Sequence, residues 1–215
     1  MKSVLIIGLG QFGQQFAKKL YEMGNEVMGI DRDEERVNQS MPFLTNAQIG
    51  DATNEQFIEV LGVSDFDLCV MTIGDSFEDA LQTTALLKDN GAKRVLARAK
   101  SDLYEKFLLR NGADSVVNTE RDMAERLAMK YGSDSVFDYI QLTDDCNIVE
   151  IPTPAAWIGK TIEQKAVRQK HNVYILATKT GDEVHPMPRP DHLFTSEETL
   201  LIMGSDRDVE RLVGR

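Results

Sequence analysis

The stretch Ser3-Val4-Leu5-Ile6-Ile7-Gly8-Leu9-Gly10-Gln11-Phe12-Gly13 decides the fold. An almost wholly apolar strand at 3–7 runs into three glycines at GxGxxG spacing, and Phe12, Phe16, Leu20 and Met23 then recur at helical spacing. A second strand, Glu26 to Ile30, follows, with Asp31 closing it about 20 residues beyond the glycines. Strand, glycine turn, helix and a carboxylate in that order specify a nucleotide-binding βαβ unit.

Each residue has a physical task. Gly8 permits the tight turn, Gly10 lets a pyrophosphate approach the backbone, and Gly13 lets the helix lie close to the sheet. The helix start at Gln11 and Phe12 then aims free N–H groups and the positive dipole end at the phosphates. Asp31, with Arg32 beside it, accepts the hydroxyls of an adenosine ribose and repels a 2′-phosphate. The ligand class is therefore NAD(H), ATP, ADP or AMP in preference to NADP(H).

Outward from this unit the alternation continues. Strands are expected at Ala47 to Ile49, Leu68 to Thr72, Arg94 to Ala97 and Ser115 to Val117, and a last helix carries a stripe of Met123, Leu127 and Tyr131. Six strands alternating with helices predict an α/β doubly wound parallel Rossmann sheet over residues 1–131. Residues 132–215 read differently. Short strands at Tyr139 to Leu142, Ile148 to Ile151, Val173 to Thr178, Glu183 to His185 and Leu200 to Met203, with helices at Ile162 to Lys170 and Asp206 to Val213, predict a linker and a small α+β domain.

Polar groups gather where the parallel strands end, which is where such a sheet binds its ligand. Asp51 and Ala52 follow the third strand and face an adenine edge. Thr72, Ile73 and Gly74 end the fourth, Gly74 allowing close approach to ribose or phosphates. Arg98 ends the fifth as a phosphate counter-charge, and Glu120 follows the sixth. Thr53 and Asp75 read equally well as helix caps.

The net charge of −11 excludes a nucleic-acid partner, because a phosphate backbone requires a basic face. No apolar run reaches the ~20 residues of a membrane span, and Cys69 and Cys146 lack metal-site spacing and read as small core residues of a cytoplasmic protein. His171, His185 and His192 all fall in the C-terminal part without a partner at catalytic spacing, and no Walker lysine or nucleophile elbow occurs. A small NAD-dependent oxidoreductase is the alternative reading, and it lacks a proton-transfer residue.

With IIGLGQFG, GID, GDAT, TIGD, the Arg98 strand, GAD at Gly112-Ala113-Asp114 and TERDMAERLA in place, the chain resembles the RCK (regulator of potassium conductance) family over nearly its full length. The likeness is to the KtrA/TrkA type of cytosolic regulatory subunit in bacterial potassium uptake systems. It implies an RCK-N domain, an RCK-C domain and no catalysis. It further implies homo-oligomers from dimer to octameric ring beneath a membrane-embedded potassium-translocating subunit, with ATP, ADP or NAD(H) in the clefts. By position it assigns Gly8, Gly10, Gln11, Phe12 and Gly13 to the phosphate loop, Asp31 to the ribose, Asp51, Ala52, Ile73 and Gly74 to base and ribose, and Arg98 to the phosphates. Glu120 matches an acidic residue that helps hold a Mg, Ca or Na ion beside the phosphates, and the helix from Asp122 to Tyr131 matches the crossover that joins subunits. Gln11 departs from the arginine of close relatives, which removes a γ-phosphate contact and leaves ADP or NAD(H) open. In RCK-C, the resemblance makes Ile162, Val167, Arg168, Asn172, Val173, Ile175 and Pro186 a candidate cyclic di-AMP site.

Overall fold

The computed structural model describes residues 1–132, 137–143 and 145–213. The linker expected after Tyr131 falls in part on 133–136, outside the described residues. The chain divides into two compact units, Met1–Asp122 and Met123–Arg215.

The first unit is built on a parallel sheet in the order β3-β2-β1-β4-β5-β6, made of β1 Ser3–Ile7, β2 Glu26–Asp31, β3 Asn46–Ile49, β4 Leu68–Met71, β5 Val95–Arg98 and β6 Ser115–Val117. Helices α1 Gln11–Glu22, α2 Glu34–Ser40, α3 Glu55–Val60, α4 Phe77–Asp89 and α5 Asp102–Arg110 connect the strands, and α6 Thr119–Tyr131 follows β6. The strand order reverses at β1, so the crevice beyond the carboxyl ends of β1 and β4 is the switch point where ligands bind. Strand β1 is apolar from Val4 to Ile7 because both its faces are covered. Leu5 and Ile7 join one core cluster, and Val4 and Ile6 the other. Each such aliphatic side chain contributes about 1.5–3 kcal/mol when fully buried.

Two apolar stripes expected from the sequence differ in the structure. In α1 the covered residues are Gly13 and Ala17, with Phe16 and Leu20 packed beside them, whereas Met23 lies past the helix end and is 67% exposed. In α6, Met123, Leu127 and Tyr131 are all exposed, so within one chain this stripe covers no core. Of the two cysteines, Cys69 is a core residue whose thiol is pushed up to about 12 by burial, while Cys146 is only half-buried.

The GAD turn shows how a local motif sets the sheet. Gly112 sits at φ +108°, where L side chains are strained, and Lys88 packs beneath it. Asp114 then accepts the Val95 N–H at 2.7 Å and pairs with Lys88 at 3.1 Å, tying the start of β5 to that of β6. The Val95 N–H is the main reason its carboxyl titrates below the usual 3.8, with Lys88 adding to the effect. A depressed carboxyl stabilises the fold above its unfolded value and loses that contribution as pH falls through the folded value. Asp114→Ala is therefore expected to lower stability by about 1 kcal/mol at neutral pH, with the deficit narrowing below about pH 4. Thermal melts from pH 7 to pH 3 check this, and a deficit independent of pH would refute the assigned role.

The second unit contains an antiparallel sheet in the order β10-β9-β11-β8-β7, from β7 Asp138–Thr143, β8 Cys146–Pro152, β9 Tyr174–Thr180, β10 Glu183–Pro186 and β11 Glu198–Gly204. Val149, Ile151, Leu200 and Ile202 alternate inward and form a core with Trp157 and Phe194. The single helix expected at Ile162 to Lys170 is two, α7 Ile162–Lys165 and α8 Val167–His171, because Ala166 takes a left-handed conformation at φ +48°. The closing helix is α9 Asp206–Val213.

Candidate functional site

Gly8, at φ +97°, turns the chain from β1 toward α1, and its N–H donates to the Ile30 carbonyl at 2.8 Å. A methyl built on Gly13 would lie 2.0 Å from the Gly8 carbonyl oxygen, so the close approach of α1 to the turn requires glycine there. Thr72 fixes the same turn from β4, its hydroxyl donating to the Gly8 carbonyl at 2.5 Å. A methyl on Gly10 would meet nothing within 4 Å, so the absent side chain leaves open space above the loop.

The helix starts around this crevice are not alike. Asp33, Asn54, Ser76 and Ser101 cap α2, α3, α4 and α5 with their side chains. At α1 the capping position is Gly10, no side chain caps it, and no acidic residue stands in its first turn. Its N–H groups and dipole end are left to an anion.

The space so formed is a cavity of about 450 Å³. Gly8, Gly10, Gln11, Phe12, Asp31, Arg32, Asp51, Ala52, Thr72, Ile73, Gly74, Arg98 and Glu120 all line it. Gly13 does not, and its role is packing. Asp31 is 7% exposed. One of its oxygens accepts the Leu9 N–H at 2.7 Å and the other the Asp33 N–H at 2.9 Å, which leaves lone pairs of both for ribose hydroxyls. Asp51 accepts both the N–H and the hydroxyl of Thr53, at 2.9 and 2.8 Å, and these bonds lower its pKa with a smaller contribution from Arg32. Thr53 and Asp75 also line the cavity, and the caps they were read as are supplied by the neighbouring Asn54 and Ser76.

Arg98 and Glu120 form an ion pair with each other, and Arg98 also donates to the Thr119 hydroxyl and lies 5.6 Å over the Phe12 ring. The Thr119 hydroxyl, then the backbone N–H of Glu120 itself and the Arg98 charge, hold the Glu120 carboxyl below the usual range. Among the described residues no group of three or more His, Cys, Asp or Glu side chains is placed to hold a metal ion.

Sequence reasoning missed Arg36, Asp79 and Lys100, which also line the cavity. For Lys100 a signal existed. It stands two residues after Arg98, and the two-residue period of an extended chain puts both on one face. Arg36 and Asp79 come from helix first turns, whose rotation about the crevice a sequence does not reveal.

The second-unit candidates divide. Val167, at 3% exposure, and Val173, at 0%, belong to the core, with Ile162 and Ile175 packed against it. Arg168, Asn172 and Pro186 reach the surface, Arg168 lying 5.0 Å over the Tyr174 ring. The histidines here do have partners, contrary to their sequence spacing. His192 meets the buried Glu198 at 2.9 Å, His185 meets Glu183 at 3.8 Å, and His171 packs on Trp157. Glu198 also accepts the Thr195 N–H, so this pair joins the strand to the loop before it.

Comparison with known proteins agrees with both units. Residues 4–119 match the TrkA-N domain and residues 148–214 the TrkA-C domain. The chain is 36% identical to the Ktr system potassium uptake protein C of Bacillus subtilis, over 100% of this chain and 97% of that protein. It is 33% identical to the Ktr system potassium uptake protein A of the same organism, over 98% and 95%. Among solved structures, the GsuK channel bound to NAD aligns with a TM-score of 0.71 at 17% identity, covering all of this chain and 40% of that one. A glycine turn at the switch point of a 3-2-1-4-5-6 sheet, a small antiparallel second unit and these full-length matches together establish that the chain belongs to the RCK family, in its KtrA type with paired TrkA-N and TrkA-C domains.

Proposed function

We propose that the chain is a non-catalytic regulatory subunit of a Ktr-type potassium uptake system, acting at the cytoplasmic face of a membrane-embedded potassium-translocating partner. The observation that carries this reading is the full-length likeness to two Ktr uptake proteins, joined to a cavity whose parts suit an adenine nucleotide. In it, adenosine lies over Asp51 and Ala52, Asp31 holds the ribose, and the phosphates or the second half of NAD(H) extend over Gly10 toward Arg98. Among the described residues no His, Cys, Ser or Tyr lines the cavity, which supports binding without turnover. No described helix is long and apolar enough to cross a membrane, so potassium passage falls to the partner.

Regulation follows from assembly. A ligand shifts a subunit arrangement only through its differential affinity for that arrangement, which requires an oligomer with more than one shape. The exposed stripe Met123, Leu127 and Tyr131 on α6 supports a crossover contact with a second copy, since apolar residues at helical spacing are otherwise costly in water. The second unit is proposed to take cyclic di-AMP where two copies meet, through Arg168, Asn172 and Pro186. For Glu120, the pairing with Arg98 removes the charge argument for a bound cation, and the proposal rests on the nucleotide alone.

Light scattering of the purified chain is expected to give a dimer or larger, up to an eight-subunit ring, with ATP, ADP or NADH changing its shape or melting temperature without being consumed. A strict monomer at micromolar concentration, with and without nucleotide, would overturn the gating reading. Measurable hydride transfer from NADH would restore the oxidoreductase.

A further inference from the structure

The cations of the cavity are not equivalent. Arg32 pairs with Asp79 at 3.7 Å, Arg36 with Asp31 and Asp33 at 3.8 and 3.6 Å, and Arg98 with Glu120. Lys100 lines the same cavity, and among the described residues no carboxylate lies within ion-pair distance of it. A methyl built on Gly74 would lie 3.2 Å from Arg98 Nη1 and 3.7 Å from Lys100 Nζ, so both cations overhang the end of β4. That end is two strands from β2, where Asp31 sits, a separation of roughly 10 Å at ordinary strand spacing. This is the reach from a ribose to the distal phosphates of a nucleoside polyphosphate. A lone α-phosphate stops short of it, at the start of α1.

We infer that Lys100 is the specificity-determining cation of this cavity, binding the distal phosphates of ADP and ATP and so favouring them over AMP and NADH. The inference rests on the nucleotide reading above and deepens it. A distal phosphate arriving at Arg98 must share that guanidinium with Glu120, whereas at Lys100 it meets an ammonium with no competing carboxylate. AMP has no charged group at this distance. The second phosphate of NADH bridges to a neutral nicotinamide riboside and carries one charge fewer than the terminal phosphate of ADP, so NADH gains less from the lysine and AMP gains nothing.

Calorimetry of the full chain at about 0.15 M salt, against AMP, ADP, ATP and NADH, tests this with Lys100→Met and Lys100→Arg. Lys100 is exposed, and methionine keeps its length and apolar stem, so the fold is retained. Lys100→Met is expected to weaken ATP and ADP about tenfold, NADH less than ADP, and AMP less than about twofold, and Lys100→Arg to keep most of the ATP affinity. If the wild-type chain binds these nucleotides but Lys100→Met leaves the ATP-to-AMP affinity ratio unchanged, or weakens all four equally, the role of Lys100 is wrong and the nucleotide reading stands. If the wild-type chain binds none of the four, both fall together.

Discussion

Gly10→Val is expected to leave the first unit folded and abolish nucleotide binding, while Gly13→Ala unfolds or strongly destabilises it. The two glycines lie three residues apart, Gly10 at the cap of α1 and Gly13 in its first turn, yet their surroundings are opposite. Gly10 has φ −68° and ψ −176°, a conformation open to any residue, and a side chain there would meet no protein atom within 4 Å. It would fill the space that a pyrophosphate needs. At Gly13 the added methyl meets a backbone oxygen at 2.0 Å and the Thr72 hydroxyl at 2.9 Å. Alanine would gain about 1 kcal/mol of helix propensity. Overpacking commonly costs 1–3 kcal/mol and costs more where the obstacle is backbone that has no rotamer to change, so the clash wins. A fall in melting temperature of about 5 °C or more is expected for Gly13→Ala, against little change for Gly10→Val. A folded Gly10→Val protein that still binds ATP would remove the phosphate loop from the site. A Gly13→Ala protein melting like wild type would show that the close approach of α1 is dispensable.

The first unit was legible because its signals are local and redundant. An apolar run such as Val4 to Ile7 in β1 can only be buried on both faces, and the first five strand ends announce themselves by a Gly, Asp, Thr or Arg. Where the reading slipped, the cause was distance. Met123, Leu127 and Tyr131 have the spacing of a core stripe, and periodicity records that a face is apolar without saying what covers it. The break at Ala166 carried no signal, since alanine is the best helix former and only the tertiary fold imposes φ +48° on it. Val167 and Val173 are similar to ligand contacts in kind and order and are buried within the unit, and aliphatic residues serve a core and a ligand equally well, so their type alone does not separate the two roles. His192 and Glu198 are six residues apart, a spacing that no regular element brings together, and the turn that joins them was not readable. In the cavity, the residues that sequence missed are those whose meaning depends on pairing. That three arginines are matched by carboxylates and, among the described residues, a lysine is not can be seen only when the strand ends are brought side by side.

Asp31→Ala is expected to weaken ATP, ADP and NADH by more than tenfold and to lower the stability of the first unit as well. Viewed from the sequence, Asp31 serves only the ribose, and removing it deletes hydrogen bonds to a charged acceptor of about 1.5–3 kcal/mol each. The structure adds a second task. The carboxylate accepts the Leu9 N–H, from within the phosphate loop, and the Asp33 N–H at the start of α2, so it ties the loop after β1 to the end of β2. Leu9 is fully buried, and without Asp31 its N–H would be stranded, at a cost of about 1–3 kcal/mol. Arg36, 3.8 Å from the same carboxylate, would lose a partner and gain freedom to turn toward the phosphates, an opposing effect worth less than the bonds removed because its guanidinium is partly exposed and still has Asp33. The two tasks separate with Asp31→Asn, whose amide oxygen can keep the Leu9 bond while its NH₂ group faces the other partners. That variant should recover part of the lost melting temperature and little of the lost affinity, since ribose hydroxyls then meet a neutral group. Parallel melts and calorimetry on both variants decide the matter. Wild-type affinity in Asp31→Ala would take Asp31 out of the ribose site, and equal stability of all three proteins would show that the Leu9 bond holds nothing.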